Sequence, residues 1–102
     1  MFGLHVTFAL SSGHEDAFDE LALATARRVL TTEPGTFVYA VCRDETRPDV
    51  RIFLEIYRDR AAFGAHGRQP YVQVFLAARG LHLAREVEVD WLDVSDPALT
   101  TL

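Results

Sequence analysis

Apolar and polar positions change period several times along the chain, and each change marks an element. From Phe2 to Ala9, Leu4, Val6 and Phe8 alternate with His5 and Thr7, the period of a half-buried strand that ends by Leu10. Ser12-Gly13-His14-Glu15 then reads as a capping box, the serine accepting from a first-turn amide and Glu15 reaching back to the cap. Behind it Phe18, Leu21, Ala22, Thr25 and Val29 form one apolar helical stripe, with Glu15, Asp16, Asp19, Glu20 and Arg27 largely off it. This helix must stop before Pro34-Gly35, which occupy the central positions of an expected type II turn. Two strand-like runs follow, 36–43 and 51–58, and the polar loop Asp44 to Asp49 joins them as an antiparallel hairpin. Asp59 is placed to cap a short helix running through Phe63 to His66. Gly64 and Gly67 weaken that helix, and Pro70 restarts it as a first helical residue. Tyr71, Val74, Phe75 and Ala78 supply the apolar face of the second half, Gly80 is its stop, and a last strand is predicted from Leu83 to Val94.

The order β-α-β-β-α-β, with the second helix broken, predicts a ferredoxin-like α+β fold: a four-stranded antiparallel sheet with both helical segments on one face. Leu4, Val6, Phe8, Ile52, Leu54, Ile56, Val87, Val89 and Trp91 make one apolar strand set, while His5, Thr7, Phe53, Glu55, Tyr57, Glu86, Glu88 and Asp90 make a mixed one. The pattern alone leaves open which set faces the helices. Helices on one sheet face leave the other needing water or a partner, and neither set is polar enough for simple solvation, so a homodimer is expected.

At 102 residues the chain is long enough for a single core, and the whole of it is read as one domain with residues 93–102 as a C-terminal tail. Hydrophobic residues make up 49% and charged residues 25%, the balance of a folded chain rather than a disordered one. All ten basic residues are Arg, spread from Arg27 to Arg85 against fifteen acidic ones, for a net charge of −5, which opposes nucleic-acid binding. No apolar run approaches the roughly 20 residues that span a bilayer. The N-terminal residues lack the charged segment and cleavage site of a secretory leader, so a cytoplasmic location without membrane partners is expected. The lone Cys42 is a small strand residue without metal-ligand spacing around it.

His66 leads the candidate chemistry, because it stands just before a glycine at a helix break, where a side chain can point into a cleft and titrate near neutrality. Glu55 lies in the otherwise apolar run Ile52-Phe53-Leu54-Glu55-Ile56-Tyr57. Its carboxylate either pairs with Arg43 or Arg58 or sits in a cavity with a raised pKa. Tyr57 shares its strand face, and Tyr39, Tyr71 and His5 are further candidates for binding a substrate. There is no G-x-G-x-x-G, no P-loop and no G-x-S-x-G, the histidines lack metal-site spacing, and the serines, Ser11, Ser12 and Ser95, suit caps and a tail. This inventory suits a flat polycyclic or phenolic molecule that loses a proton and leaves a stabilised anion.

Glu33-Pro34-Gly35-Thr36 followed by Tyr39, Glu55-Ile56-Tyr57 at a strand end, Ala62 four residues before His66, and Gly13-His14-Glu15-Asp16-Ala17-Phe18 resemble the antibiotic biosynthesis monooxygenase family in order and spacing. The resemblance runs from Phe2 to about Trp91. It implies a dimeric α+β barrel and a cofactor-independent monooxygenase, using neither flavin nor metal, that oxidises a quinol or aromatic polyketide-like substrate with O₂ through a substrate carbanion. It also implies His66 as general acid/base, Glu55 orienting it, and Tyr57 or Tyr71 on the substrate oxygen. Gln69-Pro70-Tyr71 stands where the family commonly has a further polar residue. The haem-degrading relatives combine Asn, Trp and His, and this chain has no Asn and a single Trp in the last strand. A cofactor-free isomerase or cyclase working by proton transfer, or a dimeric small-molecule-binding domain without turnover, would use the same pocket.

Overall fold

In the computed structural model, which describes residues 1–95, the strands β1 (Phe2–Ala9), β2 (Thr36–Arg43), β3 (Val50–Tyr57) and β4 (Glu88–Asp93) form one antiparallel sheet in the order β2-β3-β1-β4. The helices are α1 (Glu15–Thr32), α2 (Arg60–Gly67) and α3 (Pro70–Arg79), with a short 3₁₀ turn over Gly80–His82. The expected broken helix is thus two helices, and the architecture is the ferredoxin-like one. Asp59 caps α2, its Oδ1 accepting from the Ala62 amide at 2.8 Å, and Pro70 opens α3.

Strand register decides what lies under the helices. Leu4 stands opposite Glu55 and Trp91, Val6 opposite Phe53 and Val89, Phe2 opposite Tyr57, and Tyr39 opposite Glu55. Cross-strand partners share a face, so the apolar set of β1 joins Phe53, Glu55 and Tyr57 of β3, not Ile52, Leu54 and Ile56. The strand sets drawn from alternation therefore need correction. Alternation is read within one strand and carries no phase between strands; register supplies it. Packed on this face are Phe18, Ala22 and Val29 of α1, Ala62 of α2 and Phe75 of α3, with Phe8, Phe18 and Phe53 in mutual ring contact.

The α1 entry also differs from expectation. The N-cap residue is His14 and makes no side-chain capping bond, so the Ser12 capping box does not form. Gly13 takes φ +84° and the His14 amide bonds the Ser11 carbonyl, a turn that starts the helix too late for Ser12 to reach it. At the far end the Thr36 amide bonds the Glu33 carbonyl, but Gly35 is not at positive φ, so the turn is not type II. Glycine is required there by space: a Cβ on Gly35 would stand 2.8 Å from the Ala62 Cβ.

Three further expectations shift. Asp19 is buried, not solvated, because Arg51 points from β3 to the helix side opposite Phe8 and is only 3% exposed. Its Nε and Nη2 donate to the Asp19 carboxylate at 2.7 and 3.2 Å. In α3 the buried residues are Val72 and Phe75, while Val74 is 63% exposed; apolar residues surround most of this helix, and tertiary packing selects the face. The last strand is shorter than Leu83 to Val94: Thr7 pairs with Glu88 but Leu10 bridges Leu83, so three steps along β1 meet five on the other side and the excess loops out. The tail expected from residue 93 starts inside β4, and its residues 96–102 lie outside those described.

Replacing Gly35 by Ala should cost about 1–3 kcal/mol in denaturant unfolding, because the added methyl drives α2 off the turn. A variant as stable as the parent would show that α2 can shift freely.

Candidate active site

The turn, β3 and α2 converge on His66. Ala62 and His66 are one helical turn apart on the buried side of α2, and the close seat of Ala62 on Gly35 brings the neighbouring Glu33 under the imidazole. His66 Nδ1 lies 2.9 and 3.1 Å from the two Glu33 oxygens, and both side chains are 7% exposed. Thr36 Oγ1 donates to Glu33 Oε1 at 2.8 Å, and the Tyr71 hydroxyl donates to Oε2. A carboxylate is acceptor-only, so the fitting partner from His66 is Nδ1–H, which leaves the lone pair on Nε2. Nε2 has no protein partner among the described residues, and His66 is one of the residues lining an apolar cavity.

That cavity holds about 200 Å³ between the sheet and α2 and α3. Phe63, Val72, Phe75 and Leu76 form its apolar wall on the helix side, Leu4, Val6, Val89 and Trp91 on the sheet side, and Glu55, His66 and Arg79 are its charged or titratable groups. Trp91 is 59% exposed and packs against Phe2 and Phe63 at ring distances of 5.7 and 5.8 Å.

Glu55 pairs with neither Arg43, which bonds Asp19, nor Arg58, which meets Asp59. Its Oε1 accepts the Tyr57 hydroxyl at 2.5 Å. Burial raises the Glu55 pKa above the ordinary carboxylate range, and the Tyr57 hydrogen bond opposes that rise. The Tyr57 and Tyr39 hydroxyls are pushed far up by burial and by the neighbouring Glu55 charge; Tyr71 rises through desolvation and its bond to Glu33. All three phenols therefore stay protonated and do not serve as bases, and Tyr57 and Tyr71 donate to Glu55 and Glu33.

The structure brings His66, Glu55, Tyr57 and Tyr39 together: the rings of Tyr57 and Tyr39 lie 5.3 and 5.5 Å from the imidazole. Of these, His66 and Glu55 line the cavity. Tyr71 stands on the far side of Glu33 under the Arg28 guanidinium. His5 is on the other sheet face, 3.4 Å from Asp90, and does not join the group. The orienting role expected of Glu55 is geometrically filled by Glu33, which sequence reading used only as a turn marker. Arg79 was also missed, since its place follows from the face that α3 buries.

Glu55 ties stability to pH. The folded chain holds its proton more tightly than the unfolded one, so the contribution is complete below about 4.5 and lost as pH rises through the raised folded value. Glu55→Gln, which cannot ionise, should gain on the parent steadily across that rise in urea melts at a series of pH values. A pH-independent difference would contradict the burial effect.

The family model of antibiotic biosynthesis monooxygenases matches residues 1–78. The chain belongs to this family. A solved structure from Caulobacter crescentus CB15 that bears the family's name is 28% identical and superimposes with a TM-score of 0.89 over 93% of this chain and 90% of that one. A second, from Nitrosomonas europaea, has a TM-score of 0.89 over 94% of this chain and all of that one; at 16% identity it speaks for the fold alone. An uncharacterised Synechocystis sp. protein is 34% identical over 58 residues, 57% of this chain but 40% of that longer one. Within the antibiotic biosynthesis monooxygenase fold, the Glu33-Pro34-Gly35 turn and the Ala62 and His66 helix are the two pieces that pack together to build the His66 site.

Proposed function

We propose that this family member is a cofactor-independent monooxygenase that oxidises a one- or two-ring quinol or related phenol with O₂, acting in the cytoplasm as a homodimer. The observation that carries the proposal is the imidazole of His66 at the wall of an apolar cavity, with Nδ1 held by buried Glu33 and Nε2 without a partner among the described residues. A general base needs this arrangement: a fixed tautomer, a free lone pair, and a carboxylate behind it to stabilise the imidazolium. His66 Nε2 removes the substrate proton, and the resulting carbanion gives one electron to O₂. The two radicals combine as a peroxide that takes the proton back from His66, and loss of water from the carbon that still carries hydrogen leaves a carbonyl.

Size narrows the substrate. An apolar cavity of about 150 Å³ takes a benzene, so about 200 Å³ suits one or two rings better than a polyketide of three or more. The dimer is supported by the second sheet face, where Val38, Ile52, Leu54 and Ile56 of β2 and β3 lie side by side with no helix of the described residues above them. No helix among the described residues is long and apolar enough to cross a membrane. Oxygen-electrode assays with one- and two-ring hydroquinones test the activity: one O₂ consumed per substrate, above autoxidation, is expected. Turnover of the substrate without O₂ consumption would instead favour proton-transfer isomerisation.

A further inference from the structure

The mechanism above leaves the arginine of the cavity unused. Arg79, the last residue of α3, follows Val72 and Phe75 on the inward stripe of that helix and lines the cavity with Glu55 and His66. It is half-buried, its guanidinium stands 5.7 Å over the Phe8 ring, and among the described residues no carboxylate lies within ion-pair distance of it. Glu55, the acid on the same cavity wall, attracts Arg79 only from beyond ion-pair distance and has one oxygen occupied by Tyr57. A half-buried, unpaired cation is costly in a folded protein unless something binds it. It is unexpected by chance in a chain with five more acids than bases.

Arg79 and His66 line the cavity from different levels along β1. His66 packs on Tyr57, which pairs with Phe2 at the start of β1, whereas Arg79 lies over Phe8 near the end of that strand. We infer that Arg79 is the anion-binding end of the cavity and takes the carboxylate of a one- or two-ring phenolic or quinol acid whose hydroxyl, at the other end of the molecule, meets His66. The planar guanidinium fits a carboxylate with paired hydrogen bonds. Burial, which lowers the Arg79 pKa, strengthens the attraction of the still-charged group for an anion.

This assignment rests on the cavity being the substrate pocket, yet its test needs no turnover. Calorimetric titration of the protein compares para-hydroxybenzoate with its methyl ester, benzoate and ionised para-nitrophenol, for the parent, Arg79→Met and Arg79→Lys. Thermal melts confirm that each variant folds. The parent should bind the acid on the order of ten- to a hundred-fold tighter than the ester. Arg79→Met should bring the two together, and Arg79→Lys should restore part of the preference. Equal binding of acid and ester by the parent, or a preference retained in a folded Arg79→Met, would overturn the inference while leaving oxidation of neutral hydroquinones untouched. Binding of para-nitrophenolate but not benzoate would also overturn it, by assigning Arg79 to a phenolate oxygen. Conversely, acid binding that depends on Arg79 in a protein that consumes no O₂ would keep the site and remove the oxygenase reading.

Discussion

His66→Gln should lower kcat/KM for hydroquinone oxidation by roughly 10²- to 10⁴-fold, the range over which positioned proton transfer contributes to catalysis. Gln can still donate to Glu33 but offers no basic nitrogen at the place of Nε2. The effect should therefore fall on the rate, with the melting transition little changed, since one polar side chain replaces another of similar volume. Glu33→Gln should show a weaker form of the same defect, because the carboxylate on Nδ1 is what holds the imidazole's tautomer and orientation. Undiminished oxidation by a folded His66→Gln protein would remove this residue from the reaction.

Asp19→Ala should be the most damaging substitution to stability, by about 3–5 kcal/mol in denaturant unfolding. Arg51 is sealed beneath α1, and besides Asp19 it reaches, among the described residues, only the Pro48 and Val50 carbonyls, at 2.8 and 3.2 Å. Without Asp19 its charge is buried and uncompensated. Arg43, which also bonds Asp19 at 3.0 Å, is largely exposed, so Arg43→Ala should cost under about 1 kcal/mol. Removing both charges, as Asp19→Ala with Arg51→Met, should recover part of the loss. A loss below about 1 kcal/mol for Asp19→Ala alone would mean that water reaches Arg51 and compensates it.

Much of the architecture is legible in the sequence because periodicity is a local property. The alternation of Leu4, Val6 and Phe8, the stripe through Phe18, Ala22 and Val29, the Asp59 cap and the Pro70 restart each depend on a few neighbouring residues, and each appears where the pattern places it. Relations between elements are less legible. Pairing of Leu4 with Glu55 cannot be read from either strand alone, and the β1 and β3 faces were joined out of phase. The inward face of α3 is hidden because Tyr71, Val72, Val74, Phe75 and Leu76 offer several apolar faces at once. Arg79 was hidden with it.

The same division holds for the site. His66 and Glu55 stand out because a titratable residue in an apolar run, or at a helix break, contrasts with its neighbours. Glu33 does not, since its turn explains its presence by local chemistry; only the packing of Gly35 on Ala62 shows that the turn also carries a carboxylate to the imidazole. His5 looked equivalent to the tyrosines in the sequence, and alternation sends it to the opposite face from Leu4 and Val6, away from the cavity.

The most direct measurement is the fate of isotopically labelled O₂ during oxidation of a hydroquinone by the metal-stripped protein, with the product trapped as the quinol before its oxygens exchange. Incorporation of one labelled atom into the product and one into water, at a rate that collapses in His66→Gln, is the expected result. Oxidation that leaves no label in the product, or no consumption of O₂ beyond autoxidation, would contradict a monooxygenase built on His66.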